Sequence, residues 1–307
     1  MKPILIADSM HPLLMQGFDE RQIPYSYLPD ITKAEAEKQI EEFSGLIIRS
    51  KFEVDKTFID QAIFLNMIAR AGSGMENIDQ EYAISKGIRC INAPEGLCDA
   101  VAEHAVGMLL SLLNNLCESN ARIKQGAWNR EVFRGNELMG LTVGIIGYGH
   151  TGSAMARKLG GFGCTVLAYD KYKSGFGNIH VVESSLDDLF RHSDVISLHI
   201  PQNSETFYWF NSELIANFKK PIWFINTSRG KIVVTKDLVN ALKTGKIKGV
   251  CLDVLENENP ASFGEFEKEW FNYLSNSKHA ILTPHIAGWT HESYRRISEV
   301  LLAKILG

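Results

Sequence analysis

An α/β fold built on parallel sheets is the class this sequence predicts, and three observations predict it. Short β-branched runs alternate with longer amphipathic stretches, the pattern of stacked β-α-β units. The runs are apolar on both faces, as strands are in a parallel sheet that helices cover on both sides. One of them, LTVGII, opens into the glycine-rich turn GYGHTG (147–152), and a helix-like stretch follows that turn. A chain of 307 residues favours two domains over one.

In order along the chain, ILIAD (4–8) reads as a buried strand, and GLIIRS (45–50), NMIARAG (66–72) and IRCIN (88–92) repeat the theme. Segments 33–43 and 55–65 read as helices between them, so this first stretch is a small α/β unit by itself. A long helical pattern then covers 99–125, with Asp99 as its N-cap because the carboxylate can accept from first-turn N–H groups. Val101, Ala105, Met108, Leu109, Leu112, Leu113 and Leu116 spread over much of its circumference. Such a helix is buried on several sides, either in a core or in a domain or subunit interface. A second α/β series begins at LTVGIIGYG (141–149) and continues with TVLAYD (165–170), VISLHI (195–200), IWFINTS (222–228), GVCLDV (249–254) and AILTPHI (280–286). The last segment, 290–307, is helical by periodicity, with Arg295 and Arg296 on a solvated face.

A net charge of −4 gives no footprint for nucleic acid or for an anionic membrane surface. An anionic substrate must therefore be drawn by local basic residues and backbone N–H groups. The five cysteines are scattered and never form C-x-x-C, which argues against a zinc site or a disulfide framework and fits a reducing compartment. The opening apolar run is too short for a signal peptide, and no run of about 18 apolar residues occurs. The expectation is a cytoplasmic protein with no resident metal.

The turn GYGHTG has a physical reading. Gly147 permits a tight turn, Gly149 lets the backbone approach a pyrophosphate, and Gly152 allows close packing of helix on strand. The helix N-terminus then offers N–H groups and partial positive charge. The next strand ends in Asp170, near the spacing expected of the acidic residue that accepts from ribose hydroxyls and repels a 2′-phosphate. That favours NAD over NADP, although Lys171 and Lys173 stand beside it.

Three further motifs sit at strand ends, the edge where open α/β sheets bind ligands. INTSRG (225–230) places Arg229 there, able to clamp a carboxylate and polarise a carbonyl, or else to be an ordinary surface arginine. CLDVLENENP (251–260) and LTPHIAGWT (282–290) supply Glu258 and His285. Hydride transfer at a carbinol carbon needs a group to take or give the hydroxyl proton. Histidine suits that near neutral pH, with a carboxylate to steady it. The pair works only if the fold brings the two together. His192 lies in a polar stretch and His104 inside the long helix, so both have structural readings, whereas His199 at a strand end stays open.

Taken together, GYGHTG, AYD, INTSRG, CLDVLENENP and TPHIAG resemble the D-isomer-specific 2-hydroxyacid dehydrogenase family. RAGSGMENID (70–79) and NAPEG (92–96) extend the resemblance over nearly the whole chain. It implies a doubly wound Rossmann cofactor domain, 99–284, inserted into a discontinuous flavodoxin-like catalytic domain of 1–98 and 285–307. The active site is then expected in a cleft between domains, and the 99–125 helix region in a homodimer interface. The resemblance implies a trio in which His285 is the acid/base, Glu258 orients it and Arg229 binds the substrate's carboxylate and carbonyl. Asp253 would hold the nicotinamide carboxamide, with Thr227, Ser228 and Gly288 lining the cofactor site. His150 and Thr151 would give backbone N–H groups to the pyrophosphate, Ile200 and Pro201 would flank the adenosine, and Ser73 and Gly74 would face the substrate carboxylate.

Two positions depart from the family pattern. Relatives place proline directly after the glutamate, whereas here the run is V-L-E-N-E-N-P, so Glu258 is chosen by its distance from Asp253 and Glu256 is the fallback. Trp289 is not a general family feature, and it either walls the substrate pocket or packs a domain junction. IIRSK (47–51) resembles the D-3-phosphoglycerate dehydrogenase subgroup, in which Arg49 would approach the phosphate and Lys51 would add to it. That implies a place in serine biosynthesis, with glyoxylate or hydroxypyruvate reduction as the alternative. A formate dehydrogenase is disfavoured by glutamate at 258. A rival of another class is the NAD(H)-sensing corepressor, which resembles this family and retains the trio.

Overall fold

The computed structural model describes residues 2–307 and contains two all-parallel sheets. The first comprises β1 (Ile4–Ile6), β2 (Tyr25–Tyr27), β3 (Gly45–Ile48), β4 (Met67–Arg70) and β5 (Arg89–Asn92), in the order β2-β1-β3-β4-β5. That is the flavodoxin-like order, whose switch point lies between β1 and β3. The second comprises β6 (Thr142–Ile146), β7 (Thr165–Tyr169), β8 (Val182–Glu183), β9 (Val195–Leu198), β10 (Ile222–Asn226), β11 (Ile247–Leu252) and β12 (Ala280–Leu282). Its order, β12-β11-β10-β9-β6-β7-β8, is the dinucleotide-binding order with one strand added, and it reverses direction between β6 and β9. The doubly wound class expected from the sequence is the fold observed.

The chain divides into two compact units: the described residues of Met1–Cys98 together with Trp289–Gly307, and Asp99–Gly288. The motif reading placed the second crossing at 284–285; in the structure it falls at Gly288–Trp289.

In the first unit the strand alternation sorts side chains onto two faces. Leu5, Leu46, Ile48 and Ile68 pack on one side with Phe52 and Phe58. Ile4, Ile6, Ile47, Met67 and Ala69 pack on the other with Phe18, Ile297 and Leu301. The second face is therefore completed by the helix His291–Leu306, whose N-terminus is closed by a Thr290–Ser293 capping box. Gly96 admits that helix, since a β-carbon there would stand 2.6 Å from the Ile297 nitrogen. Arg295 is exposed and bonds Glu299 at 2.8 Å, as a solvated face requires, but Arg296 is half-buried, contrary to expectation.

The long helix is also corrected. It is two helices, Cys98–Leu113 and Leu116–Lys124, bent by 61°. Asn115 takes the left-handed conformation at φ 53°, which asparagine tolerates better than most residues. The apolar stripe also ends there: the first helix is largely buried, and the second buries no residue. Asp99 lies in the first turn of the helix and is not its N-cap. Among the described residues no single helix is long and apolar enough to cross a membrane.

Candidate functional site

The carboxyl edge of the second sheet gathers most of the residues singled out by sequence. At the switch point, Gly147 turns at φ 94° with its α-carbon so close to β9 that a β-carbon would lie 2.5 Å from the His199 carbonyl oxygen and 2.9 Å from Ile200. Gly149 caps the helix His150–Leu159, and no side chain caps this N-terminus. A β-carbon on Gly152 would stand 2.0 Å from the Gly147 oxygen, so the helix start is pressed onto the turn. A β-carbon on Gly149 would meet nothing within 4 Å, which leaves that side open. Thr151 is half-buried, His150 exposed and Pro201 exposed.

Asp170 ends β7 half-buried, with its carboxylate aimed back at the turn. Oδ2 accepts from Tyr148 N at 2.8 Å, and Oδ1 accepts from the backbone N–H groups of Tyr172 and Lys173 at 2.9 and 3.0 Å. The two neighbouring lysines are occupied: Lys171 pairs with Glu205 at 2.6 Å, and Lys173 donates to the Tyr148 carbonyl at 3.1 Å. Tyr148 is further held by a ring stack on Phe176, 4.4 Å between centroids. Sequence reasoning overlooked this aromatic clamp, because Phe176 lies in a polar loop with no periodicity to mark it.

The remaining residues follow three adjacent strands. After β10, Ser228 donates to Asn226 Oδ1 at 2.9 Å, and Arg229 Nη1 to the Ser228 carbonyl at 2.7 Å. Thr227 Oγ1 is buried without a hydrogen-bond partner in the chain. Gly230 is pressed on the segment beyond β11, where a β-carbon would come within 1.8 Å of the Leu255 oxygen. Glu256 is tied to the Thr235 N–H and to the Tyr208 hydroxyl. Glu258 instead reaches the imidazole, His285 Nδ1 to Glu258 Oε2 at 2.9 Å, both side chains nearly half exposed. The fallback assignment to Glu256 is therefore not the one the geometry favours.

Asp253, expected to meet a carboxamide, is buried and bonded to its own chain. Oδ1 accepts from Thr283 Oγ1 at 2.6 Å and Ile286 N at 2.8 Å, and Oδ2 from Ala287 N at 2.9 Å. Any ligand contact must share an oxygen that already holds the loop of His285 and Gly288. His199 is not part of this group. Its ring contacts Ser197 Oγ at 2.9 Å and Met155, and burial pushes its pKa down to about 4, so it is neutral.

In the first unit the same logic places Arg49 at the switch point. Asp8, which follows β1, accepts from the backbone N–H groups of Arg49 and Lys51 at 3.0 and 3.3 Å and so fixes the loop after β3. The guanidinium lies 4.3 Å from the ring centre of Trp289 and 5.4 Å from that of Tyr294. Burial lowers the Arg49 pKa, against the pull of Asp8 and Tyr294. Trp289 is 67% exposed and so serves Arg49 more than any core. The Lys51 ammonium does not add to this group but donates to the Pro29 carbonyl. Ser73 and Gly74 sit half-buried in the loop after β4, where Asn92 donates to the Ser73 carbonyl at 2.6 Å.

The second unit thus holds an open, glycine-lined helix N-terminus with a carboxylate at the end of the next strand, an orphaned hydroxyl, and an imidazole backed by a carboxylate. This is the equipment of a dinucleotide-dependent oxidoreductase, and the close-packed glycines and the partnerless Thr227 hydroxyl fit such a cofactor. Residues 106–287 match the D-isomer specific 2-hydroxyacid dehydrogenase NAD-binding domain. The chain is 34% identical to hydroxypyruvate reductase of Thermotoga maritima, over 95% of this chain and 92% of that one. It is 32% identical to D-3-phosphoglycerate dehydrogenase of Methanocaldococcus jannaschii, over 99% of this chain but only 57% of the relative's length. The crystal structure of D-lactate dehydrogenase from Aquifex aeolicus, complexed with NAD and lactic acid, superposes with a TM-score of 0.85 at 28% identity, covering 99% of this chain and 94% of that one. The chain belongs to the D-isomer specific 2-hydroxyacid dehydrogenase family and is an NAD-dependent oxidoreductase acting on CH–OH groups.

Proposed function

We propose that the chain interconverts D-3-phosphoglycerate and 3-phosphohydroxypyruvate with NAD(H). The observation that carries this reading is Arg49, a cation at the switch point of the first sheet, its backbone fixed by Asp8 and its flat face covered by Trp289. A guanidinium so held keeps its N–H edges for an anion, and phosphate is the anion whose geometry it matches best. The phosphoglycerate dehydrogenase relative supports the same reading.

In the second unit the proposed chemistry is proton transfer and charge stabilisation. The glycine turn and Asp170 would hold the nicotinamide dinucleotide, which when bound would supply the hydride for reduction of the carbonyl carbon. His285 holds Glu258 through Nδ1, which leaves Nε2 to give a proton to the carbonyl oxygen in reduction and to take it back in oxidation. Glu258 fixes the tautomer and steadies the imidazolium. Arg229 binds the carboxylate and polarises the carbonyl.

A second reading, hydroxypyruvate or glyoxylate reduction, is favoured by the Thermotoga relative, which this chain matches over nearly its full length. The test is NADH oxidation with 3-phosphohydroxypyruvate, hydroxypyruvate and glyoxylate side by side. A preference of about a hundredfold in kcat/KM for the phosphorylated acid, about 2.7 kcal/mol, supports the first reading, and a flat or reversed preference supports the second.

We also propose a homodimer through the helix region at 99–125 and the segment after it. Leu116, Ile123, Trp128, Val132 and Met139 are all exposed there, Trp128 to 82%, more apolar surface than one segment leaves to water without a partner. Light scattering of Trp128→Asp should show a monomer if that face is the contact.

A further inference from the structure

We propose that His104 is a positioning residue for His285, acting through Thr283 and Asp253. The proposal rests on the reading of His285 as the acid/base. The helix Cys98–Leu113 brings His104 Nε2 to 3.0 Å from Thr283 Oγ1, and that hydroxyl is 2.6 Å from Asp253 Oδ1. The same Asp253 takes the Ile286 and Ala287 N–H groups, and its backbone carbonyl accepts from His285 N at 2.8 Å. The loop Thr283–Ala287 is thus wrapped around one buried carboxylate. His285 sits within it at φ 56°, a left-handed conformation that a residue with a β-carbon keeps only when its surroundings enforce it.

The direction of each hydrogen bond follows from counting protons. Asp253, already receiving two backbone N–H groups, accepts only, so the single proton of the Thr283 hydroxyl points at Oδ1. The Thr283 oxygen is then the acceptor toward His104, and His104 must donate from Nε2. The other neighbour of that hydroxyl is Met108 Sδ at 3.8 Å, a weak acceptor that cannot replace the imidazole as a donor. His104 therefore locks the Thr283 rotor in the setting that keeps Asp253 Oδ1 bonded, and Asp253 keeps His285 in its unusual backbone conformation. Without the donor, Thr283 gains alternatives, the wrap loosens, and the imidazole loses its aim, while the glycine turn after β6, four strands along the same sheet edge from β12, is untouched.

The experiment compares His104→Leu, His104→Gln and His285→Ala in the full chain, reading kcat, the NADH dissociation constant and the melting temperature. A misplacement of about 1 Å can cost about a hundredfold, so the partial loosening expected in His104→Leu should lower kcat about tenfold. NADH binding should stay within about threefold, and His104→Gln, which returns an N–H donor near the position of Nε2, should recover most of the rate. Full kcat in His104→Leu while His285→Ala is inactive overturns the role of His104 and leaves the acid/base reading standing. Loss in both His104 variants alike, with a lower melting temperature, also overturns it, as a purely structural role. An active His285→Ala overturns the acid/base reading and this inference with it. Nitrogen-15 spectra of the unmodified protein give a readout independent of turnover: a hydrogen on His104 Nε2 is expected, and a neutral ring protonated only on Nδ1 overturns the relay.

Discussion

Alanine at Gly149 and at Gly152 should separate binding from folding at the glycine turn. At Gly149 an added β-carbon meets nothing within 4 Å, and its φ of −82° suits alanine. The folded chain should therefore keep its stability or gain about 0.4–1 kcal/mol through a narrower unfolded state. If the turn holds the pyrophosphate, as proposed, the same carbon occupies the open side by which it would reach the backbone N–H groups. Losing one or two charge-assisted bonds at about 1.5 kcal/mol each raises the NADH dissociation constant about tenfold to a hundredfold. At Gly152 the β-carbon would begin 2.0 Å from the Gly147 oxygen, so helix or turn must give way. Such overpacking costs about 1–3 kcal/mol, which lowers the melting temperature by several degrees at about 2–4 °C per kcal/mol. Thermal melting without ligand and NADH titration by fluorescence measure the two effects separately. An unchanged dissociation constant in Gly149→Ala, or a melting temperature that falls as far as in Gly152→Ala, would refute the assignment of that open side to the cofactor.

Arg49→Ala should raise KM for a phosphorylated substrate about tenfold to a hundredfold, the worth of one charge-assisted contact of about 1.5–3 kcal/mol, and leave glyoxylate turnover unaffected. Equal loss on both substrates would give Arg49 a structural role. The depressed pKa of His199 has a sign in pH: the unfolded chain takes up the proton first, so stability is whole above about pH 6.5 and falls as pH drops towards 4. The full loss is about 3 kcal/mol at 1.36 kcal/mol per unit, and urea denaturation of His199→Gln should show a flatter curve over that window. Leu301→Ala empties a fully buried position against the first sheet and should cost about 2–5 kcal/mol in urea denaturation.

The parts of the fold legible in the sequence are those that physics writes locally. Strands β6, β9, β10 and β11 are apolar on both faces because helices cover both sides, and they stand out as runs. The edge strands β2, YSY, and β8, two residues long, are only partly buried or exposed and carry no such run. The break at Asn115 was hidden because Leu116 continues the helical spacing although it is exposed. At the site, the motifs singled out Arg229, Glu258 and His285, which follow the neighbouring strands β10, β11 and β12, and the fold brings Glu258 and His285 within 2.9 Å. Spacing from Asp253 chose Glu258 over Glu256, but the Thr235 and Tyr208 contacts that hold Glu256 elsewhere were not legible in the sequence. His104 was out of reach, because its partner Thr283 lies 179 positions away and nothing in a helix's own periodicity points to a threonine on another element.

The first unit has a consequence for how the protein is made. Its five strands emerge from the ribosome before the inserted unit, yet one face of their sheet is closed by Ile297 and Leu301, which come after that unit. At about 5–20 residues per second, the inserted unit, Asp99–Gly288, keeps that face waiting for about 10–40 seconds. During translation the later unit can therefore finish before the earlier one, and the nascent chain spends that interval with Ile4, Ile6, Ile47 and Met67 lacking their final cover. A chaperone that samples ribosome-bound chains would find its target on that sheet face, and would lose it once the helix His291–Leu306 docks.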